Sequence, residues 1–203
     1  MKLDNAHTAR IAFAILLAVV PLAPAFAQNG FRGNGPGQGI STNVQPVTPA
    51  EAQSLAFMRE EEKLARDVYQ KLFEKWNLTT FRNIAASEDR HFNAIGNLLT
   101  RYSVADPARD TQPGIFVDPT LTALYAELMA KGELSLKDAV EVGILIEQTD
   151  IKDLKTSLTS TTKVDIQRVY TNLLNGSFQH LEAFETALEI CALPAAANSP
   201  STR

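Results

Sequence analysis

Hydrophobic residues recur every three to four positions along most of the chain from Pro49 onward, the spacing of one face of an α-helix. Four stretches with this period are long enough to be main helices, and none of the chain alternates as a β-strand does. The first stretch runs from Pro49 to Trp76 and ends at Asn77, and the second begins at Thr80. Because the connection between them is so short, we expect these two helices to form an antiparallel hairpin.

The next connection is long and polar, and it reads SVADPARDTQPGIFVDP. At its end, Asp118 as N-cap and Pro119 as first helical residue predict a short helix that stops at Gly132. The segment therefore predicts a long crossover that carries a short extra helix.

Two further main helices follow. Ser135 lies three residues before Asp138, which resembles a helix start and predicts the third main helix, with a break or kink near Asp150. The fourth is expected from just after Thr162 to about Cys191. The predicted fold is all-α: a four-helix bundle with a long crossover and a short extra helix between helices two and three.

Polar residues interrupt the inward stripe of each main helix near its middle. The stripes are Leu55, Met58, Glu62, Ala65, Tyr69, Leu72, Trp76; Ile84, Glu88, His91, Ile95, Leu98, Tyr102; Val140, Ile144, Glu147, Ile151, Leu154, Leu158; and Ile166, Tyr170, Leu173, Ser177, His180, Phe184, Ala187. Buried carboxylates are costly unless they are paired, hydrogen-bonded or bound to metal. Three acids and two histidines at one depth therefore predict one or two divalent cations between them.

The Glu88–His91 pair has the spacing of two metal ligands on one helix face. Residues i and i+3 are neighbours on a helix, so one oxygen and one nitrogen can point at a common centre. This mixture suits iron, manganese or zinc better than calcium. A lone E-x-x-H is common by chance, however, and a single histidine on an apolar stripe is more often a hydrogen-bonded core residue.

The acidic run Glu60–Glu62 leaves an alternative open. Such runs usually mark a solvated face, and Glu62 takes the inward place only by register. Glu61 takes it instead if the stripe reads Phe57, Glu61, Leu64, Val68.

The N-terminus has the pattern of a signal peptide: basic Lys2 and Arg10, an apolar core, and the cleavage sequence Ala25-Phe26-Ala27. We expect cleavage after Ala27, export to the periplasm or the medium, and no membrane association afterwards. Residues 28–49, rich in Gly, Pro and Asn, predict a flexible leader. Residues 50–191 are then the helical domain and 192–203 a disordered tail.

Charge and cysteine content narrow the range of partners. Without residues 1–27 the chain has 17 basic and 22 acidic residues, a net charge of −5, which argues against nucleic acid. Cys191 is the only cysteine, so no intrachain disulfide can form. Its thiol is either inert or links a homodimer.

Three stretches resemble the ferritin-like superfamily of diiron-carboxylate bundles, which includes rubrerythrin and bacterioferritin. They are FMREEEKLARDVYQKLFEKWNLTTFRNIAASEDRHFNAIGNLLTRY, AVEVGILIEQTDIKDL and IQRVYTNLLNGSFQHLEAF. More narrowly, the chain resembles an exported member of a bacterial and archaeal branch known only as a domain of unknown function. The resemblance covers about residues 51–190.

The resemblance implies a ligand set. In that superfamily a Glu from each of two helices joins an E-x-x-H from each of the other two. The residues that match are Glu62, Glu88, His91, Glu147 and His180. The departure is Ser177, where the pattern has a Glu; water, Asp150 or an added anion would have to fill the gap.

The resemblance also implies a function. It is that of an exported metal-binding protein that holds iron, mononuclear or dinuclear, or alternatively manganese or zinc. A catalytic form would be a ferroxidase or peroxidase type of oxidoreductase that acts with oxygen or peroxide. Tyr69 or Tyr102 would then donate a hydrogen bond or an electron, although core packing is the simpler role of both. The alternatives are a non-catalytic zinc- or cation-binding bundle and an exported interaction module with a degenerate site.

Overall fold

The computed structural model describes residues 45–192, and within that range the chain forms five α-helices and no β-strand. The helices are α1 (Pro49–Trp76), α2 (Thr79–Arg101), α3 (Pro119–Gly132), α4 (Leu136–Thr159) and α5 (Val164–Ala192). The predicted signal peptide, most of the predicted leader and residues 193–203 lie outside the described part. None of the described helices is both long and apolar enough to cross a membrane.

The predicted bounds of α1 and α3 and the predicted start of α4 are confirmed, and local capping chemistry sets these starts. Thr48 and Glu51 form a capping box at the start of α1, and Asn77 ends that helix in the left-handed conformation with φ of 53°. Asp118 and Ser135 cap α3 and α4 through side-chain bonds to backbone amides.

The predicted break in α4 is wrong, since the helix continues without interruption through Asp150. Thr149 hydrogen-bonds back to the Leu145 carbonyl at 2.9 Å, as a threonine inside a helix does. The Asp150 side chain lies against Ser177 of α5 and so does not cap a new helix.

The bundle begins slightly before the predicted end of the leader. Val47 packs against the core, and the Gln45 carbonyl accepts a hydrogen bond of 2.9 Å from Lys163. The last residues of the segment predicted as leader therefore belong to the helical bundle.

Two apolar clusters fill the bundle, one on each side of a polar layer. The first contains Leu64, Ala65, Val68, Tyr69, Leu72, Phe81, Ile84, Ala85, Val140, Val142, Ile146 and Phe184, among others. The second contains Leu55, Met58, Ile95, Leu98, Leu99, Leu154, Ile166, Tyr170 and Leu173. We call the polar layer between them the belt: Glu61, Glu62, Glu88, His91, Glu147, Asp150, Asp153, Ser177 and His180.

The order of the two clusters along each helix gives the direction of that helix. α1 and α5 pass from the second cluster to the first, whereas α2 and α4 pass from the first to the second. α1 therefore runs antiparallel to α2, and α4 antiparallel to α5, as the short connections predict. α2 and α4 run in the same direction, so the crossover between them returns along the length of the bundle.

The crossover lies over α1 and buries charged residues there. Its bonds to α1 join Asp106 to Arg59, the Gln112 carbonyl to Lys63, the Gly114 amide to Asp67, and the Val117 and Asp118 amides to Glu60. Glu60, which the crossover covers, and its neighbours Glu61 and Glu62 are all buried, with 3%, 7% and 2% of their surface exposed. The expectation that this acidic run marks a solvated face is wrong.

Candidate metal centre

The structure brings all five predicted metal ligands into the belt. Glu62 of α1, Glu88 of α2 and Glu147 of α4 have at most 3% of their surface exposed. The side chains of His91 on α2 and His180 on α5 lie at the edge of the belt, 13% and 10% exposed. Each helix supplies its residue from the inward stripe, so the amphipathic period of the sequence is what aligns them.

The five residues form two triads that share Glu88. In one triad Glu62, Glu88 and His91 each place a donor atom within 4.8 Å of the others, and in the second Glu88, Glu147 and His180 do the same. The two oxygens of Glu88 divide between them: Oε2 lies 2.8 Å from His91 Nδ1 and Oε1 lies 2.8 Å from His180 Nδ1. The outer carboxylates are farther away, Glu62 at 3.4 Å from His91 Nδ1 and Glu147 at 3.6 Å from His180 Nδ1.

These short contacts are not well-formed hydrogen bonds. Neither Nδ1 atom has a hydrogen-bond partner although each is buried, because the oxygens lie off the direction in which the ring would donate. Glu62 Oε1 is also buried without a partner. Two donors bound at right angles to one divalent cation at about 2.1 Å lie about 3 Å apart, so the contacts have the separation of metal ligands.

Burial and mutual repulsion set the protonation of the acids when no metal is bound. Burial, and next to it the charge of Glu88, raise the pKa of Glu147 to about 8. Burial and Asp150 raise the pKa of Glu62 well above its usual value. Burial also opposes the charge of Glu88, but the imidazoles of His180 and His91 outweigh it and lower the pKa of Glu88 to about 2.

The acids of the belt also raise the pKa values of the two histidines. Burial by itself lowers the pKa of an imidazole, yet Glu62 and Glu88 raise the pKa of His91 to about 10. Glu147 and Glu88 likewise raise the pKa of His180 to about 9. Protons therefore occupy both rings in the metal-free protein, and a cation that binds at Nδ1 has to displace them.

Tyr69 contacts the belt and Tyr102 does not. The Tyr69 hydroxyl donates a hydrogen bond of 2.7 Å to Glu147 Oε1, and its fully buried ring packs on Phe184. The Tyr102 hydroxyl instead donates to Asp165 at 2.7 Å, near the second apolar cluster. Tyr102 is eleven residues beyond His91 on the same helix line, which is about 16 Å along the axis.

Ser177, which stands where the pattern of the ferritin-like superfamily has a Glu, has an acidic neighbour. Its hydroxyl lies in hydrogen-bond contact with the Asp150 carboxylate and 2.9 Å from the Leu173 carbonyl. Asp150 is 8% exposed, and burial raises its pKa to about 7 although the Ser177 bond lowers it. An acid therefore does lie beside Ser177, but it comes from α4 instead of α5.

Gly176 is a part of the site that sequence reasoning missed. A Cβ atom on this residue would lie 2.6 Å from His91 Cε1 and 2.7 Å from His91 Nε2, closer than atoms can approach. The ring of His91 occupies the space that a side chain would fill. Only a glycine next to the S-x-x-H stretch of α5, in NGSFQH, could have suggested such close helix contact.

We expect Gly176→Ala to displace the His91 ring and weaken binding of a divalent metal by about 10–100-fold, the usual effect of disturbing the support of a ligand. Titration of metal-free protein with Co²⁺ would measure this. Gly132→Ala is the matched control, because its Cβ would press on Leu72 in the apolar cluster at 2.8 Å. That variant should lose stability and keep its metal affinity; equal affinity in both variants would contradict a supporting role for Gly176.

Comparison with known proteins identifies the family. A family model described as an uncharacterised protein domain, DUF2202, matches residues 51–194. The chain belongs to the DUF2202 family. This confirms the predicted branch of unknown function, while a ferritin-like relationship of DUF2202 stays a prediction.

A relative with a solved structure supports the fold of this DUF2202 chain. The chain is 46% identical over 140 residues to the uncharacterised protein MJ0754 of Methanocaldococcus jannaschii, which covers 69% of this chain and 76% of that protein. The crystal structure of hypothetical protein MJ0754 from Methanococcus jannaschii matches with a TM-score of 0.72 at 42% identity. The match covers 77% of the DUF2202 chain and 90% of the crystallised one.

Proposed function

We propose that this protein is an exported, ferritin-like metal-binding protein whose five belt ligands hold two divalent ions, of which iron fits best. The observation that carries the proposal is the position of Glu88. Each of its oxygens faces a different histidine at 2.8 Å, and each triad adds one further Glu. A carboxylate shared between two equivalent nitrogen-and-oxygen donor sets is suited to bridging a pair of cations.

The buried orphan atoms support the fit. His91 Nδ1, His180 Nδ1 and Glu62 Oε1 are buried polar atoms without hydrogen-bond partners. An unpaired polar atom in such an interior costs free energy, and each of these atoms can bind a metal instead. Imidazole and carboxylate together favour iron, manganese or zinc. The helix directions, with one long crossover between two parallel helices, also agree with a ferritin-like bundle.

Bound iron would supply one-electron chemistry with oxygen or peroxide, which no side chain in the belt can supply by itself. The chain's own residues prepare the site. Tyr69 holds Glu147 in place through its hydrogen bond. Asp150 supplies a carboxylate next to Ser177, whose own side chain has none. The apolar clusters on both sides exclude bulk water from the carboxylates. Since Cys191 is the only cysteine, a rubredoxin-like cysteine pair is absent from the sequence and electrons would come from another molecule.

The test begins with metal-free protein that is loaded with Fe²⁺ under anaerobic conditions. Oxygen is then added, and its consumption is measured. We expect about two Fe²⁺ per chain and oxidation faster than that of free Fe²⁺. Glu88→Gln should lose both, because Glu88 belongs to both triads. Asp89→Asn, the next residue, points to solvent and pairs with Arg66, so this control should behave as wild type.

A second candidate is a redox-inactive cation-binding bundle, and Ser177 in place of an acid favours it. Binding of Zn²⁺ or Fe²⁺ to the five ligands without oxygen consumption would select this candidate. Wild-type protein that binds no more metal than Glu88→Gln would rule out both.

A further inference from the structure

Three more carboxylates of the belt belong to neither triad. They are Glu61 on α1 and Asp150 and Asp153 on α4. In each, one oxygen is buried without a hydrogen-bond partner: Glu61 Oε2, Asp150 Oδ1 and Asp153 Oδ2. Glu61 and Asp150 are themselves only 7% and 8% exposed. By contrast, both oxygens of Glu60 accept hydrogen bonds from the crossover, and both oxygens of Asp67 accept them from Lys63, Arg66 and the Gly114 amide. These unsatisfied oxygens need a ligand.

The acids of α4 lead from the centre to the surface. Glu147, Asp150 and Asp153 are spaced by three residues, and each step rises about 4.5 Å and turns about 60° around the helix. Their exposure follows that turn: Glu147 is 2% exposed, Asp150 is 8% exposed and Asp153 is half-buried. The three carboxylates thus form a line that starts at the second triad and ends at solvent.

Glu61 closes this line from the side of α1. The Glu61 carboxylate lies beside the Asp153 carboxylate, and two ionised carboxylates this close repel each other. Such a contact requires either a proton or a cation between the oxygens. Burial, and then the charges of Asp150 and Asp153, raise the pKa of Glu61 well above its usual value.

The spacing of these three acids suits the passage of a divalent cation better than its tight binding. Among the described residues, only the two triads bring three donor atoms within 4.8 Å of one another, so Glu61, Asp150 and Asp153 are more widely spaced. All their donors are oxygens, which a hydrated divalent cation can exchange with water. A row of negative charge in a low-dielectric wall also concentrates cations and speeds their association.

We propose that Glu61, Asp150 and Asp153 form an oxygen-only path between α1 and α4, along which a divalent cation passes from the surface to the Glu/His centre. The inference rests on the proposed function, since a path needs a centre to deliver to. The side chains of His91 and His180, 13% and 10% exposed, mark the other places where the centre comes near the surface.

The test is the rate at which metal-free protein takes up Co²⁺, followed by visible absorbance in a stopped-flow instrument. Asp153→Asn should slow uptake by about tenfold or more. Elemental analysis after gel filtration should still find the wild-type amount of Co²⁺, with the wild-type spectrum. Glu61→Gln should also slow uptake, and Asp89→Asn, exposed on α2, should not. Because Asp153 is partly exposed, its replacement by Asn leaves the fold intact.

Each alternative outcome shows whether the path or the metal centre is contradicted. Equal uptake rates in wild type and Asp153→Asn would overturn the path and leave the centre standing, with cations reaching it past the histidines. A lower final Co²⁺ content at an unchanged rate would overturn it too, because the acids would then hold metal permanently. Wild-type protein that takes up no Co²⁺ would overturn the proposed function and the path together.

Discussion

Chelation should lower the melting temperature of the metal-loaded wild-type protein by about 10 °C and that of His91→Ala by clearly less. Metal that binds only the folded state stabilises it by about 3–4 kcal/mol when free metal exceeds the dissociation constant by two to three decades. For a domain of this size each kcal/mol corresponds to roughly 2–4 °C. His91→Ala removes the only nitrogen of the Glu62–Glu88–His91 triad and leaves the Glu88–Glu147–His180 triad in place, so it has less bound metal to lose.

The quantity to compare is the shift that chelator causes in each variant, measured by differential scanning calorimetry. The absolute melting temperature is less useful, because loss of His91 also removes a positive charge that offsets Glu62 and Glu88. Asp89→Asn should show the full wild-type shift, since its side chain is 53% exposed and bound to Arg66. If chelator shifts wild type and His91→Ala by the same amount, the triad holds no metal.

The metal-free protein should become more stable as the pH falls from 8.5 to 5.5, by on the order of 3 kcal/mol, or about 10 °C. Most proteins change little over this range. Here Glu147 has its pKa raised to about 8 and Asp150 to about 7, and the pKa values of Glu61 and Glu62 are raised as well. Each of these acids binds a proton in the folded state at a pH where the unfolded chain has lost it.

The sign follows from that difference in bound protons. An acid with a raised pKa destabilises the fold increasingly as pH rises from its unfolded pKa to its folded pKa. His91 and His180, raised to about 10 and 9, stabilise the fold at low pH and lose this effect as pH rises through the same range and above it. Glu88, lowered to about 2, acts in the opposite sense only below about pH 4.5, outside the range of the measurement.

Urea unfolding of chelator-treated protein at several pH values measures this dependence. Glu147→Gln should flatten the slope, because the amide does not titrate and its oxygen can still accept the Tyr69 hydrogen bond. Metal-loaded protein should show the reverse trend, since protons compete with the cation for the same atoms. Metal-free wild type that loses stability between pH 8.5 and 5.5 would contradict the assigned environment of these acids.

The acidic run on α1 shows where sequence reasoning stops. Period and register leave either Glu61 or Glu62 for the interior, and the structure buries both and places Glu62 in a triad. They do not reveal that Glu60 binds the crossover or that Glu61 contacts Asp153, because both contacts come from segments distant in the chain. Three adjacent acids are buried together only because three different partners meet them.

Tyr102 shows the limit of a stripe as a guide to the site. It continues the inward face of α2, so the pattern cannot distinguish it from Tyr69. Distance along the helix axis separates them: Tyr69 reaches Glu147, whereas Tyr102 reaches Asp165 at the end of the bundle. A stripe identifies which side of a helix faces inward. Only the packing of neighbouring helices identifies which residues of that stripe lie at the height of the belt.

The sequence by itself determined the helices, their ends and the side that each turns inward, because capping bonds and amphipathic period act within a few residues. The prediction of helices at Pro49–Trp76 and Pro119–Gly132 agrees with the structure residue for residue. The tertiary structure alone decided that Glu88 lies between two histidines, that Asp150 lies beside Ser177, and that Gly176 makes room for His91. Those contacts depend on the rotation and spacing of whole helices, which the packing of two apolar clusters and a long crossover sets and no local pattern encodes.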